Sequence, residues 1–450
     1  MTATGRLRLL GSYLRTRRLM QPGRWPSRDA LERWQEVQVR RHIARVVGRS
    51  AFHRERFAGA VGWRSVPTVS KRETMARFDD ANTAGVRLED ALAVAVRAER
   101  ERDFAPLLSG GIAVGLSSGT SGHRGVFLAS PAERDQWAGA ILARVLPPGR
   151  SGVTRGLLRR HRVAFFLRAS SALYARVGST RIAFDYHDLL DPFDRHVERL
   201  NAAPPSVLVA PPSVLRMLAR EAGTVLRIAP ERVVSVAEVL DDVDRSIIED
   251  AFGAPVHQVY QATEGFLGAT CPRGTLHLNE THLVVERQML DATRFTPVVT
   301  DFSRSTQPVL RHTLDDVLVL RETPCPCGSV LTALARVEGR RDDAFVLPSC
   351  SGSTGVTVFA DFVRRAVLLG ATRADAYTAH QHADGRVDVS VSVRPDERAA
   401  AEAGVRQELD RLWATVGAVP PRVTFVAPPP EACGPVKLRR VTRERPPDAP

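Results

Sequence analysis

Two stretches of this sequence carry residue types that could hold a polyphosphate and its metal. The first is Ser117-Ser118-Gly119-Thr120-Ser121-Gly122, continued by His123-Arg124-Gly125. Glycines let backbone N–H groups curl around an anion, and hydroxyls add further donors. No Gly-Lys-Ser or Gly-Lys-Thr follows, so this is not a Walker loop. Taken alone, it reads equally as an ordinary Ser/Gly surface turn. The second stretch is Tyr260-Gln261-Ala262-Thr263-Glu264-Gly265. A carboxylate beside a hydroxyl, just past an apolar run, can ligate Mg²⁺ while the hydroxyl meets a phosphate. Mg²⁺ accepts few protein oxygens and completes its shell with phosphate and water.

A third constellation uses softer donors. Cys271 is followed six places on by His277, and Cys325-Pro326-Cys327-Gly328 comes later. Three cysteines and one histidine suit tetrahedral zinc, and closed sites of this kind are structural. The separation exceeds that of a simple finger, so tertiary structure must close the site. The alternative is three buried free cysteines and a core histidine, which leaves the tight Cys-Pro-Cys-Gly turn unexplained. Cys350 and Cys433 show no evident role.

These groups need elements to position them. Ile112–Leu116 reads as a strand entering the glycine loop, and Val126–Leu128 as a second strand or a helix start. Val163–Leu167, Ser206–Ala210 and Arg232–Ala237 are apolar runs that read as buried strands. A helix capped by Pro211-Pro212-Ser213 and another over Asp241–Phe252 alternate with them. Such alternation implies parallel strands covered on both faces, with ligands at their carboxyl ends. Ser235–Glu238 and Tyr260 fall at such ends. Ala30–Phe57 reads as a helix with Leu31, Trp34, Val37, His42, Ile43 and Val46 on one face. Near the end come an alternating strand, Val387–Val393, a helix, Glu397–Val416, and a last strand, Arg422–Val426, a compact α+β unit. Residues after Arg440 are Pro- and charge-rich and read as a frayed tail.

The order and content of these motifs resemble the adenylate-forming superfamily of acyl-CoA ligases. Phenylacetate-CoA ligases and the synthetases that adenylate a deazaflavin coenzyme look most similar. Leu310–Asp316, Glu338–Asp343 and Lys437 complete the pattern. The resemblance implies an α/β fold, with a large multi-sheet adenylate-forming domain and a small α+β C-terminal domain. It implies 61–339 as that domain and 340–450 as a small mobile domain hinged at Asp342, while residues 1–60 read as a basic helical segment packed on the large domain. It assigns Ser117, Ser118, Gly119, Thr120, Ser121 and Gly122 to the phosphates of ATP. Ala237 and Glu238 meet adenine by backbone and edge contacts, and Tyr260 stacks on it. Thr263 meets the α-phosphate and Glu264 the Mg²⁺. Asp316 takes the ribose hydroxyls, supported by Arg311, although Asp315 stands where the family has Gly, and Asp301 is a further candidate. Arg340 joins the nucleotide site at the junction. Lys437 is the catalytic lysine of adenylation. Some similar members carry zinc on a set comparable to Cys271, His277, Cys325 and Cys327. Val66-Pro67-Thr68-Val69-Ser70-Lys71 resembles a Pro-x-Thr-x-x-Lys segment with the lysine one place early, and its expected role is structural.

Composition excludes other classes. The chain has 450 residues, 44% hydrophobic and 25% charged, which suits a soluble globular protein of one large and one small domain. No apolar run reaches membrane-spanning length and no signal core follows the start, so a cytoplasmic compartment is expected. Five cysteines in such a length make no disulfide framework. The net charge of +13 is almost wholly arginine, with Lys71 and Lys437 as the lysines. Arg6, Arg8, Arg15, Arg17, Arg18, Arg40, Arg41 and Arg45 crowd the N-terminus, as a solvated helix face or as a collar for coenzyme A or an acidic carrier protein. No nucleic-acid motif accompanies them. The expected function is ATP-dependent adenylation of an aryl or acyl acid, with transfer to coenzyme A, a carrier thiol or an amine. The alternatives are an adenylyltransferase that leaves AMP on its product and a non-catalytic nucleotide-binding scaffold.

Overall fold

The computed structural model describes residues 2–116, 125–147, 159–167, 181–340, 343–352, 355–371, 374, 376–427 and 440–444, the side chains of Glu99 and Asp361 apart. The chain forms two compact units. The larger comprises Met1–Ala237, Ile248–Leu314 and Val319–Arg336, and the smaller Glu238–Ile247, Asp315–Leu318 and Val337–Pro450.

The larger unit begins with helices. Ala3–Leu19 buries Tyr13 and packs on the helix Pro131–Val145. The contact is so close that a Cβ on Gly139 would lie 2.3 Å from the Leu9 carbonyl, so only glycine fits there. The helix expected over Ala30–Phe57 is two, Arg28–Val46 and Ala51–Phe57, parted by a turn of 3-10 helix. Ser50 breaks it, because its side chain caps the second helix by accepting from the His53 N–H. The first helix buries Leu31, Gln35, Val39, His42 and Val46, while Val37 is exposed, so the apolar face is rotated from the one expected. Of Arg6, Arg8, Arg15, Arg17, Arg18, Arg40, Arg41 and Arg45, Arg17 alone is partly buried and the others face solvent.

The strands come next. β1 (Ala113–Leu116) and β2 (Val126–Ala129) form an antiparallel hairpin with Leu116 opposite Val126. β3 (His161–Leu167), β4 (Ile182–Asp188), β5 (Val207–Ala210) and β6 (Arg232–Ser235) are mutually parallel. β5 and β6 are buried throughout, as unbroken apolar strands in a covered parallel sheet should be. β7 (Val256–Ala262) changes partner midway. Its first residues run parallel to β6, and from Val259 it pairs antiparallel with β8 (Gly265–Thr270), which pairs with β9 (Leu276–Leu278). This stretch of sheet runs β9-β8-β7-β6-β5-β3-β4. β10 (Leu283–Met289), β11 (Arg294–Asp301) and β12 (Val309–Thr313) form an antiparallel meander.

The chain passes between units within β13 (Asp316–Leu320) and β14 (Ala333–Arg340). In the smaller unit β15 (Phe345–Leu347) pairs with β16 (Val356–Val358). β17 (Ala376–Gln381), β18 (Val387–Ser392), β19 (Val423–Phe425) and β20 (Val441–Arg443) form a second sheet in the order β19-β18-β17-β20. Helices Ala360–Gly370 and Arg398–Val416 pack together, enclosing Trp413, Phe345, Val367 and Leu409 with the inner face of that sheet. The strand Val441–Arg443 corrects the expectation of a frayed tail from Arg440. A Val-Thr-Arg triplet carries too little alternation to announce itself, and it exists by pairing in parallel with β17. The fold is thus α/β, with a large multi-sheet part and a smaller α+β part. Among the described residues no helix is long and apolar enough to cross a membrane.

Candidate functional site

Thr263 and Glu264 are the two-residue turn between β7 and β8, closed by the pairing of Ala262 with Gly265. The exchange of a parallel for an antiparallel partner along β7 brings that turn to the end of the parallel strands. A Cβ on Gly265 would lie 2.9 Å from Asp301 Oδ2, so the turn rests directly on the last residue of β11. Asp301 is fully buried, and burial pushes its carboxyl up although Ser303 donates to it through N–H (2.7 Å) and Oγ (2.6 Å). Arg304 Nη1 donates to the Thr263 carbonyl at 2.5 Å, fixing the turn from below.

The turn has a partner that local sequence does not reveal. Lys71 Nζ donates to Thr263 Oγ1 at 3.3 Å and stands 3.8 Å from Glu264 Oε1. Two devices aim it. Val69 is stitched onto β12 by Val69 N–H to Arg311 O and Thr313 N–H to Val69 O, both 2.9 Å. Ser70 then caps the helix Lys71–Ala76 in a capping box with Glu73, so Lys71 is its first residue. The expectation of a purely structural Lys71 therefore misses its place beside the acidic turn. His312, buried on β12, completes the set. Burial of Glu264 raises its carboxyl pKa, but the charges of His312 and Lys71 and the Thr263 hydroxyl outweigh this and hold it below the usual carboxylate range. The result is a largely buried, ionised carboxylate beside a hydroxyl and an ammonium.

Two of the adenine candidates lie on or just past the strands next to this turn. Ala237 follows β6 with φ of +67°, a left-handed backbone that costs a non-glycine residue about 1 kcal/mol or more and is most often found where function requires it. Tyr260 lies inside β7, two places past Gln258, the last residue paired with β6, and packs against the cluster of Leu267, Leu283 and Val299. The β1–β2 hairpin that carries the glycine loop is also held. Gln307 accepts from Leu128 N–H (2.9 Å) and donates to the Val126 carbonyl (3.2 Å), as a further strand would. A Cβ on Gly115 would meet the Phe127 ring at 2.1 Å, so the hairpin needs glycine there.

The remaining candidates divide. Ser117, Ser118, Gly119, Thr120, Ser121, Gly122, Asp342 and Lys437 lie outside the described residues. Glu238, Asp315, Asp316 and Arg340 belong to the smaller unit, where Asp316 opens β13 and Arg340 ends β14. Arg311, expected to support Asp316, is committed elsewhere. It makes a bidentate pair with Glu286, 3.0 Å on each arm, and donates to the Arg64 and Val66 carbonyls. The resemblance implied a partnership with Asp316, whereas the β10–β12 meander pairs Arg311 with Glu286.

At the far end of β8 stands the Cys/His cluster. Cys271 follows the strand, His277 is on β9, and Cys325 and Cys327 close in from beyond β13, with all donor atoms within 4.8 Å of one another. Cys271 Sγ and Cys325 Sγ are 3.7 Å apart, far beyond a disulfide bond, and Cys327 Sγ is 3.4 Å from His277 Nε2. Tetrahedral zinc with Zn–S of about 2.3 Å and Zn–N of about 2.0 Å separates its ligands by about 3.5–3.8 Å. His277 Nδ1 donates to the Leu331 carbonyl at 3.0 Å, which leaves Nε2 as the lone pair facing the thiols. Burial raises the Cys325 thiol, yet Thr275, His277 and Cys327 hold it down to about 6. Next to it Glu280, fully buried, accepts a bidentate Arg28 (2.7 and 2.6 Å) and the Thr332 N–H (2.6 Å), so the cluster is braced to an N-terminal helix.

No family model matches the chain. Protein CapK of Staphylococcus aureus is 28% identical over 163 residues, 35% of this chain and 36% of CapK, so the match spans about a third of that protein. A 2-hydroxyisobutyryl-CoA ligase, solved in the postadenylation state with R3-HIB-AMP, superposes on 93% of this chain and 89% of its own, with TM-score 0.67 and 17% identity. An acyl acid amido synthetase superposes on 88% and 86%, with TM-score 0.55 and 13% identity. The chain has the fold of adenylate-forming acid–CoA ligases and related amide synthetases.

Proposed function

We propose that the protein uses ATP to adenylate a carboxylic acid, aryl or acyl, and passes the activated group to coenzyme A, a carrier thiol or an amine. A carboxylate oxygen of the acid attacks the α-phosphorus. The bond from that phosphorus to the β-phosphate bridging oxygen breaks, and pyrophosphate leaves. The observation that carries this reading is Glu264, held below the usual carboxylate range, 3.8 Å from the Lys71 ammonium and adjoining Thr263. Glu264 would hold Mg²⁺, which neutralises phosphate charge when bound. Thr263 would donate to the α-phosphate, and Lys71 would keep the turn positive toward an incoming anion. The solved neighbours with 2-HIB-AMP, and with 2-HIB-AMP and coenzyme A, fit a site of this kind.

The same reading gives Ser117–Gly122 the phosphates, Ala237, Glu238 and Tyr260 the adenine, Asp316 the ribose and Arg340 the junction. It takes residues 340–450 as a mobile unit that brings Lys437 to the first half-reaction and withdraws it for the second. An ammonium is a compact point charge and a guanidinium a wide fork, so Lys437→Arg should lose adenylation about 10²-fold while still consuming a preformed acyl-adenylate. Equal losses in both half-reactions would remove that role. The deciding experiment is pyrophosphate exchange over a panel of aryl and acyl acids. Exchange with one acid class supports the reading, and ATP binding without exchange across the panel overturns it. Cys271, His277, Cys325 and Cys327 would hold one structural zinc, supported by their near-tetrahedral spacing. Elemental analysis of protein purified without added metal tests it, and a chain free of zinc removes it.

A further inference from the structure

The outer end of the smaller unit's sheet carries a second group of metal-capable side chains, unrelated to adenylation. Parallel pairing of β17 with β20 sets His380 opposite Thr442 and Gln381 opposite Arg443. Antiparallel pairing with β18 sets His380 opposite Asp388. His380 and His382 are two residues apart, so their side chains rise on the same face of the sheet. Glu444 follows β20, and its N–H donates to the Gln381 carbonyl at 2.8 Å, which places its carboxylate beside both rings.

Each donor is oriented by a partner. His380 Nδ1 is 2.7 Å from Thr442 Oγ1, which turns Nε2 toward Glu444 Oε1 at 3.9 Å. His382 Nε2 donates to Asp388 Oδ2 at 2.7 Å, so Nδ1 is the lone pair in the neutral ring and faces Glu444 Oε2 at 3.6 Å. The Ala383 N–H fixes Glu444 Oε2 at 2.9 Å. The rings meet edge to face with centroids 4.7 Å apart. One nitrogen of each ring thus faces the carboxylate at a distance too long for a hydrogen bond, and the three potential ligand atoms lie within 4.8 Å of one another. Three potential ligands that converge without hydrogen-bonding one another leave room for a cation between them. A carboxylate or hydroxyl behind each ring is the arrangement by which metal-binding histidines are held in one tautomer.

We infer that His380, His382 and Glu444 form a binding site for a divalent transition metal of the zinc class, with Asp388 and Thr442 orienting the rings. Two imidazoles and one carboxylate suit Zn²⁺, Ni²⁺ or Cu²⁺, whereas Mg²⁺ and Ca²⁺ prefer an all-oxygen set. Three protein ligands leave a position for water, so the ion would exchange readily, unlike one enclosed by Cys271, His277, Cys325 and Cys327. Its effect would be to clip β20 to β17, closing the edge of the sheet at the end of the chain.

The test titrates Zn²⁺ into the full chain at neutral pH against a chromophoric competing chelator, with thermal melts at each step. The wild type should take up a second, weaker equivalent, with a rise in Tm by mass action. Glu444→Gln, and the pair His380→Ala with His382→Ala, should lose that equivalent and its Tm rise while melting like the wild type without added metal. Cys325→Ser should keep it. With Co²⁺, the second equivalent should add no sulfur-to-metal charge-transfer band. Unchanged uptake in both variants, or no second equivalent in the wild type, overturns the proposal.

Discussion

β8 has a different kind of site at each end. At Gly265 it begins from a turn whose carboxylate is balanced by a charge from a distant part of the chain, Lys71. At Cys271, about 20 Å further along an extended strand, it meets a cluster whose donors answer one another, with Cys271, Cys325, Cys327 and His277 mutually in contact. The first set is polar and incomplete, since one carboxylate, one hydroxyl and one ammonium leave most of a metal or phosphate shell to be supplied by a ligand. The second supplies four donors and leaves no position open. On the proposed reading, the first would exchange its contents and the second would keep a metal, though both are strand-anchored.

Four perturbations would break or sharpen the contrast. The largest effect is expected at the closed end. If the cluster holds zinc as proposed, Cys325→Ser should release it and destabilise the larger unit by about 4 kcal/mol or more, since loss of a structural metal is among the few single changes of that size. Metal content and urea melts measure it, and an unchanged midpoint would make the cluster merely a set of buried thiols. At the open end the pattern should invert. Glu264→Gln should lower adenylation about 10²-fold, the scale of one transition-state electrostatic contact, while moving the melting midpoint little. Normal turnover in that variant would take the metal role from Glu264.

Lys71→Met should cost less, about tenfold in kcat/KM, as expected of one hydrogen bond to a charged partner. It also changes the pH profile in a definite sense. The Glu264 carboxyl is held below its ordinary value, so its stabilising contribution is complete above about pH 4.5 and is lost as pH falls through the depressed value. Removing Lys71 lets that value rise, so the acid limb of activity and stability should shift to higher pH. Superimposable acid limbs would show that Lys71 does not act on Glu264. The smallest effect is expected at Ala237. Ala237→Gly relieves a left-handed backbone but adds freedom to the unfolded chain, for a net gain of about 0.5 kcal/mol in denaturant. A loss instead would mean that the methyl group packs against something the strain serves to reach.

What could be read from the sequence was short-range. Thr263-Glu264, the Cys-Pro-Cys turn and the glycine loop place their chemistry on neighbouring residues, and the apolar runs of β3, β5 and β6 announce buried parallel strands. Within a few residues the chain has little choice, so residue type and spacing carry the information. The interplay of distant segments was not legible. Lys71 meets Thr263 across 192 residues because Val69 happens to join β12, and no pattern around Lys71 encodes that bridge. Arg311 shows the reverse, since the resemblance implied support for Asp316 and the meander gave it Glu286. β20 is three residues long and exists because β17 offers it an edge. Side-chain type is set by the sequence, but which charge faces which, and which lone pair is left over, follows from strand register, and register is a property of paired strands and not of either strand alone.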